Sequence, residues 1–190
     1  WAIHKNGADF QCYAPDIKQH HVLNHLTGQE MNEKRNVLIE SARIARGKIA
    51  SLATFAPDSV DGLVIPGGFG AAKNLSSYAF DGAKCTVNSD IVAAIKAVHA
   101  AGKPIGALCI APVILAKVLG NVTLTIGQDQ GTADNLAAMG ARHQPTMPGE
   151  IAIDRERKIV STPCYMLNSR VDQIAEGADN LIRAMLELMD

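Results

Sequence analysis

The sequence predicts an α/β fold in which a mainly parallel sheet carries helices on both faces. Segments with strand character alternate with segments of helical spacing along most of the chain. The strands predicted at residues 61–65 and 104–108 are uninterrupted apolar runs, a pattern typical of strands buried on both faces. The sequence shows no internal repeat and no linker, so we expect a single domain over residues 1–190.

Few regular elements are predicted in the first third of the chain. Residues 8–14 alternate enough to form a strand, whereas residues 17–29 are polar and are predicted to form a loop. Residues 31–46 carry apolar side chains among charges at helical spacing, and Gly47 is expected to end this helix. The short apolar strand at residues 61–65 follows after a turn.

The middle of the chain has clear start and stop signals for helices. Asn88 can cap a helix that runs to about residue 101, where Gly102 stops it. The apolar strand at residues 104–108 leads directly into another helix, which Gly120 ends. A strand between two helices is the arrangement expected of a parallel α/β unit.

The last third of the chain continues the alternation. Residues 122–126 read as a strand and residues 132–139 as a short helix. Residues 151–153 and 158–162 are expected to pair as a hairpin across a charged turn. Residues 171–189 have apolar side chains at helical spacing and predict a final amphipathic helix.

The composition excludes several classes of function. Of the 190 residues, 47% are hydrophobic and 19% are charged, as in a globular protein. The net charge of −1 gives no electrostatic reason to expect nucleic acid or an anionic membrane as a partner. No apolar run approaches the length of a membrane-spanning helix.

The cysteines indicate reduced thiols. The chain has 4 cysteines that are far apart in sequence and match no zinc-binding spacing: Cys12, Cys85, Cys109 and Cys164. The histidines at positions 20, 21 and 25 have no thiol or acid cluster beside them, so we expect a surface loop and no metal site. Reduced thiols lead us to expect a cytoplasmic location.

The segment KPIGALCIAP, at residues 103–112, predicts a strand that runs straight into a helix with Cys109 at the corner. Ala107 and Ala111 supply the small neighbours that such a sharp turn requires. The helix N-terminus favours a thiolate at this corner, so Cys109 is a candidate nucleophile. The alternative is a small buried apolar residue at a tight junction, as most free cysteines are.

A second special turn, PGGFGAAKN at residues 66–74, follows the strand at residues 61–65. It fails as a dinucleotide-binding or triphosphate-binding loop, because Lys73 and Asn74 stand where those patterns need other residues. Its glycines can instead aim backbone N–H groups at developing negative charge. We predict an oxyanion hole formed by the N–H groups of Gly68 and Ile110, whereas the alternative is a turn without function.

The base that would activate Cys109 is not evident from the sequence. His99 lies on the helix that precedes the strand before Cys109. The sequence does not predict where the segments of His143 and Glu150 lie in the fold. No Cys-His-acid triad can be assigned from the spacing of these residues.

Several motifs resemble the ElbB family, also called sigma cross-reacting proteins, of the ThiJ/PfpI branch of the class I glutamine amidotransferase-like superfamily. This family is associated with isoprenoid biosynthesis. The motifs are RNVLIESARIARG at residues 35–47, PGGFGAAKNLS at 66–76, GKPIG at 102–106, CIAP at 109–112 and TPCYM at 162–166. The resemblance implies a flavodoxin-like three-layer sandwich with a nucleophile elbow.

The resemblance also implies an activity. It makes Cys109 the reactive cysteine and Gly68 and Ile110 the oxyanion-hole positions. It implies a glyoxalase-like lyase that converts small dicarbonyls such as glyoxal to hydroxy acids through a cysteine thiolate, without metal, glutathione or another cofactor. It further implies a homodimer.

The sequence departs from the family pattern in two places. The family's partner carboxylate lies just after the first strand, so the acid/base for Cys109 is expected in an N-terminal segment absent from this chain. We therefore expect the natural protein to be longer, because the sequence begins at Trp1 in the middle of a predicted helix. The histidine that many relatives carry near the cysteine would fall close to Gly127 and is missing.

Two other functions remain open at this point. A non-catalytic redox-sensing or binding protein would use an oxidisable Cys109, in association with isoprenoid metabolism. Ammonia transfer from glutamine ranks last, because the chain lacks the downstream histidine–glutamate pair that the amidotransferases use.

Overall fold

The computed structural model describes residues 1–189, which form two compact units. The large unit contains Trp1–Asp9 and the chain from Pro57 onward, and the small unit is Phe10–Ala56. Both special turns predicted from the sequence, at Gly68 and at Cys109, lie in the large unit.

The elements alternate between helix and strand over most of the chain. The helices are α1 (Ala2–Lys5), α2 (Val37–Ile44), α3 (Tyr78–Asp81), α4 (Ser89–Ala100), α5 (Pro112–Leu119), α6 (Gln130–Ala138) and α7 (Val171–Glu187). The strands are β1 (Cys12–Ala14), β2 (Val22–Leu23), β3 (Glu30–Met31), β4 (Ile49–Ser51), β5 (Leu63–Ile65), β6 (Ile105–Leu108), β7 (Thr123–Leu124), β8 (Arg142–His143), β9 (Ala152–Asp154) and β10 (Ile159–Thr162).

The large unit is built on a four-stranded sheet with the order β5-β6-β10-β9. Strands β5, β6 and β10 are parallel, and β9 is antiparallel to β10, as the predicted hairpin requires. The register pairs Ile65 with Ala107 and Leu108 with Thr162. The carboxyl ends of the three parallel strands therefore lie at one edge of the sheet, which is where α/β proteins bind ligands.

Helix α7 packs directly on the centre of this sheet, and a glycine makes the close approach possible. A Cβ at Gly106 of β6 would lie 2.5 Å from the Met185 sulfur and 2.7 Å from a methyl carbon of Leu181. Both side chains are buried in one apolar cluster with Val160 of β10 and Ala2 of α1. An added carbon at this position would require the Met185 and Leu181 side chains to move.

Helix α5 is the most deeply buried helix of the fold. It begins with Pro112 at its first position, where a missing N–H costs nothing. The side chains of Val113, Ile114 and Leu115 are fully buried. This helix follows β6 after a turn of three residues, so the chain reverses sharply around Cys109.

The small unit contains two separate two-stranded sheets and α2. Strands β1 and β4 are parallel, and β2 and β3 form an antiparallel pair. Helix α2 begins after Asn36, whose side chain accepts a hydrogen bond from the Ile39 N–H at 3.0 Å.

The structure corrects the sequence predictions mainly in the small unit. Residues 17–29 are not one loop, because β2 lies within them. The helix predicted over residues 31–46 begins only at Val37, since Met31 lies in β3 and Asn36 provides the cap. Strand β4 was not predicted, because three residues are too few for a reliable alternating pattern.

In the large unit the fold class is confirmed, with a mainly parallel sheet between helices. The short strand β8 and a π-helical turn at Ala71–Leu75 were not predicted. Within residues 1–189, no helix combines the length and the apolar character needed to cross a membrane.

Candidate active site

Three turns meet at the carboxyl edge of the large unit's sheet. Gly67 and Gly68 follow β5, Cys109 follows β6, and Cys164 lies just beyond β10. The backbone N–H of Cys109 donates a hydrogen bond of 2.9 Å to the carbonyl oxygen of Thr162, the last residue of β10. This bond extends the sheet pairing by one step and holds the Cys109 turn against the end of β10.

Cys109 has a backbone conformation that L-amino acids rarely adopt. Its φ is 60°, in the left-handed region, between the end of β6 and the start of α5. Such strain persists only where the surrounding structure imposes it, and it clusters at functional sites. A strained residue in a sharp strand-to-helix turn is the geometry of a nucleophile elbow.

Gly67 is the residue that allows the two turns to touch. A Cβ at this position would lie 2.6 Å from the Cys109 Cβ, 2.6 Å from the Leu108 carbonyl oxygen and 3.0 Å from the Ile110 nitrogen. Two of these atoms belong to the backbone and cannot move aside cheaply. Glycine at position 67 is therefore a packing requirement of the Cys109 turn.

The predicted oxyanion-hole donors lie in the two turns that meet at Gly67, and their N–H groups are free. At the Cys109 turn the N–H groups of Cys109 and Ala111 bond to the carbonyls of Thr162 and Leu108. Neither Ile110 nor Gly68, by contrast, donates its N–H to any partner within residues 1–189. Two unoccupied donors beside a cysteine can hold an oxyanion. Their catalytic role stays a prediction.

Cys164 is a second thiol at this edge that sequence reasoning did not single out. It is buried, and its φ of 44° is also left-handed. Burial, and to a smaller extent the charge of Cys109, raise the pKa of its thiol to about 11, although an interaction with the Cys109 backbone partly opposes them. Cys164 follows a predicted strand, as Cys109 does, and this shared position was the signal that could have placed the two cysteines together.

The candidate bases considered from the sequence do not assemble into a triad. His99 lies in the last turn of α4, at the opposite end of β6 from Cys109. The four residues of β6 span about 13 Å, which places His99 out of reach. The Glu150 carboxylate accepts a hydrogen bond of 2.8 Å from the N–H of Met147, so it is engaged in its own loop.

His143 is half-buried at the end of β8. Its Nε2 is buried and has no hydrogen-bond partner within the described residues. Burial lowers the pKa of His143, and a hydrogen bond with the Gly127 backbone partly offsets this. A Cβ at Gly127 would lie 2.8 Å from Leu167 and 3.2 Å from Pro163, so no side chain fits at position 127 without displacing the Cys164 turn.

Exposed aromatic side chains accompany the site residues. Phe69 follows Gly68 in the chain, and Tyr165 follows Cys164; both rings are mostly exposed. The Lys73 ammonium lies 4.4 Å from the centre of the Phe69 ring, a cation–π contact. In the part of the chain that the structure describes, no group of three or more His, Cys, Asp or Glu side chains could hold a metal ion.

Known proteins are similar to this chain over nearly its whole length. No protein-family model matches the sequence. The chain is 45% identical to human glutamine amidotransferase-like class 1 domain-containing protein 3, mitochondrial, over 98% of its length and 73% of the relative. It is 42% identical to the rat ES1 protein homolog, mitochondrial, over 98% of its length and 74% of the relative.

Solved structures show the same relationship. An isoprenoid biosynthesis protein with amidotransferase-like domain from Ehrlichia chaffeensis is 32% identical, with a TM-score of 0.91 over 100% of this chain and 87% of that one. A glyoxalase III from Candida albicans has a TM-score of 0.53 at 15% identity, over 80% of this chain and 69% of that one, which shows a shared fold alone.

The relatives confirm the resemblance that the motifs indicated. The chain belongs to the family of glutamine amidotransferase-like class 1 domain proteins that includes the ES1 proteins and the isoprenoid biosynthesis proteins with an amidotransferase-like domain.

Proposed function

We propose that this protein is a cysteine-dependent, glyoxalase-like lyase that converts small dicarbonyls such as glyoxal to hydroxy acids at Cys109. The observation that carries the proposal is the strained Cys109 turn beside the unoccupied N–H groups of Gly68 and Ile110. The fold that the chain shares with a glyoxalase III is consistent with this chemistry. The proposed reaction uses neither metal nor glutathione.

The proposed reaction begins with attack of the Cys109 thiolate on one aldehyde carbon. The carbonyl oxygen becomes an oxyanion, which the N–H groups of Gly68 and Ile110 stabilise as it forms. A proton then moves from this carbon to its neighbour through an enediol, which converts the hemithioacetal into a thioester. Water cleaves the thioester, releases the hydroxy acid and restores the thiol.

The proton carrier is the missing part of this scheme. His99 lies at the wrong end of β6, and the Glu150 carboxylate is hydrogen-bonded within its own loop. We propose that an acid/base other than these two side chains is the partner of Cys109. General acid–base catalysis contributes about 10²–10⁴-fold, so this group decides whether the reactive thiol turns over.

The test is glycolate formation from glyoxal by the wild-type protein and by Cys109→Ala. Loss of the nucleophile should lower the rate at least about 100-fold. Cys12→Ala, which removes a thiol from the small unit, is the matched control and should retain the wild-type rate. Equal glycolate formation by wild type and Cys109→Ala would refute the role of this thiol.

A redox-sensing or binding role without turnover is the second candidate, and the presence of Cys164 beside Cys109 favours it. Oxidation of Cys109 by peroxide, with no consumption of any dicarbonyl, would support this alternative.

The remaining expectations concern assembly and location. A homodimer would appear as a doubled mass in sedimentation equilibrium, and a monomer would contradict it. Cytoplasmic location stays a prediction beside relatives that are named mitochondrial.

A further inference from the structure

Cys109 and Cys164 follow neighbouring parallel strands at the same edge of the sheet. The register pairs Leu108 with Thr162, and the two cysteines lie one and two residues beyond these ends. Neighbouring strands are about 4.8 Å apart. Disulfide bonds span Cα separations of about 4.4–6.8 Å, so the strand spacing suits a bond between these two thiols.

Direct contacts keep the two turns together. The Cys109 N–H bonds to the Thr162 carbonyl at 2.9 Å, and Cys109 is among the groups that act on the pKa of the Cys164 thiol. The Cys164 turn is held from its other side, since the Ser169 hydroxyl donates a bond of 3.0 Å to the Cys164 carbonyl. The second thiol is thus a positioned neighbour of the first.

The two thiols differ in access. Cys109 is half-buried and within reach of a small solute, whereas Cys164 is buried beneath the turn. An oxidant from solution therefore meets Cys109 first. Cys85, which is more deeply buried still, has no cysteine among the groups that act on its thiol.

From this arrangement we infer that Cys164 is a resolving cysteine: after a hydroperoxide oxidises Cys109, Cys164 closes an intrachain disulfide with it. The inference rests on the reactive Cys109 thiol of the proposed function. It adds a second residue and a reversible oxidised state to the same site.

The oxidation consists of two balanced steps. The Cys109 thiolate attacks the hydroperoxide, an S–O bond forms as the O–O bond breaks, and the departing alkoxide or hydroxide takes up a proton. The Cys164 sulfur then attacks the Cys109 sulfenic acid, the S–S bond forms, and the hydroxyl leaves as water with the Cys164 proton. A dithiol reduces the disulfide and restores both thiols.

The protonation of Cys164 sets the order of these steps. Burial, and to a smaller extent the charge of Cys109, raise the pKa of Cys164 to about 11. A sulfenic acid is neutral, so the contribution of that charge disappears once Cys109 is oxidised. Cys164 therefore becomes easier to ionise when its partner needs a nucleophile.

The test is disulfide mapping of the full chain after treatment with hydrogen peroxide. Trypsin leaves Cys109 in residues 97–117, because it does not cleave between Lys103 and Pro104, and leaves Cys164 in residues 159–170. We expect mass spectrometry to find these two peptides cross-linked, and dithiothreitol to separate them. This readout uses the wild-type protein and does not depend on any variant folding.

The Cys164→Ser variant sharpens the result, with Cys85→Ser as the matched control. Without Cys164, the Cys109 sulfenic acid should proceed to sulfinic acid, at a yield several-fold above that of the wild type and of Cys85→Ser. Alkylation of untreated protein by iodoacetamide reports separately whether Cys109 is reactive.

The outcomes separate the two proposals. If Cys109 is alkylated but no cross-linked peptide forms, and sulfinic acid accumulates equally in all three proteins, the inference about Cys164 is wrong and the reactive thiol stands. If Cys109 is neither alkylated nor oxidised, both the inference and the proposed function are wrong.

Discussion

At the scale of single residues, the shape of the Cys109 turn depends on what is absent from position 67. The hydrogen atom of Gly67 occupies the place where any other residue would put a carbon, 2.6 Å from the Cys109 Cβ and from the Leu108 carbonyl oxygen. Real Cβ atoms do not approach other heavy atoms this closely. A larger residue must therefore move one of the two turns.

We predict that Gly67→Ala destabilises the protein by about 1–3 kcal/mol, the usual cost of overpacking, and slows alkylation of Cys109. Urea unfolding and iodoacetamide labelling measure the two effects. Gly70→Ala is the matched control, since nothing lies within 4 Å of its Cβ position and its φ of −58° suits alanine. Equal stability and labelling in both variants would contradict the packing role of Gly67.

The sequence predicted Cys109, Gly68 and Ile110 because their signals are local. Small residues around a cysteine, and paired glycines after an apolar run, are visible without knowledge of the fold. Cys164 and His143 were not placed, because their surroundings come from segments distant in sequence. The backbone of Cys109 acts on the pKa of Cys164, and the backbone of Gly127 acts on the pKa of His143.

At the scale of elements, the first helix is attached to the last by one carboxylate. The Asp179 side chain on α7 accepts hydrogen bonds from the Lys5 ammonium at 2.9 Å and the Asn6 amide at 2.8 Å. These two bonds, and the charges of Lys5 and Arg183, lower the pKa of Asp179. Ala2 of α1 enters the apolar cluster below them.

We predict that Asp179→Asn loosens α1 at pH 7, seen as faster amide hydrogen exchange in residues 2–6. A lowered carboxyl pKa stabilises the fold above the ordinary value of 3.8 and stops doing so as the pH falls through the lowered value. The difference in stability between wild type and variant should therefore shrink below about pH 4.

Asp172→Asn is the control for this prediction, because Asp172 lies on the same helix in an exposed pair with Arg170. It should leave exchange in residues 2–6 unchanged. An equal effect of the two substitutions, or a stability difference that persists at acid pH, would rule out the proposed role of Asp179.

Helix α4 was predicted accurately because its capping residue is visible in the sequence. Asn88 accepts hydrogen bonds from the N–H groups of Asp90 and Ile91, and α4 begins where the sequence indicated. The strands β2 and β3 have two residues each, too few for a periodic pattern. They pair with each other in a short local hairpin that the polar sequence does not indicate, so residues 17–29 were read as a loop.

At the scale of the whole molecule, the two units differ in how much apolar surface they bury. The buried apolar side chains of the small unit are few: Ala14, Val22, Val37 and Leu52. Its sheets have two strands each, and isolated two-stranded sheets are at best marginally stable. The large unit has a four-stranded sheet packed against helices that contribute many fully buried side chains.

We predict that native-state hydrogen exchange separates the two units. Amides of β6 and β10 should exchange only through global unfolding, whereas those of β2 and β3 should exchange through local opening of lower free energy. The measurement is exchange at increasing urea concentration, in which global opening depends on urea and local opening hardly does. Equal protection and equal urea dependence in both units would contradict this.

The fold class was predictable because it depends on repetition over the whole chain. Apolar runs at residues 61–65 and 104–108, each followed by a helix, indicate a parallel sheet regardless of small errors in their ends. The division of the chain at Phe10 and Pro57 has no counterpart in composition. The contacts between residues define the two units, and no linker in the sequence indicates where they divide.

The left-handed backbone of Cys109 has a consequence for heat resistance. An L-residue in this conformation costs about 1–2 kcal/mol relative to glycine, and Cys164 shares the conformation. Two such residues represent a sizeable part of a net stability of about 5–15 kcal/mol. Glycine at position 109 would relieve this strain but remove the thiol, so backbone stability and reactivity compete at that residue.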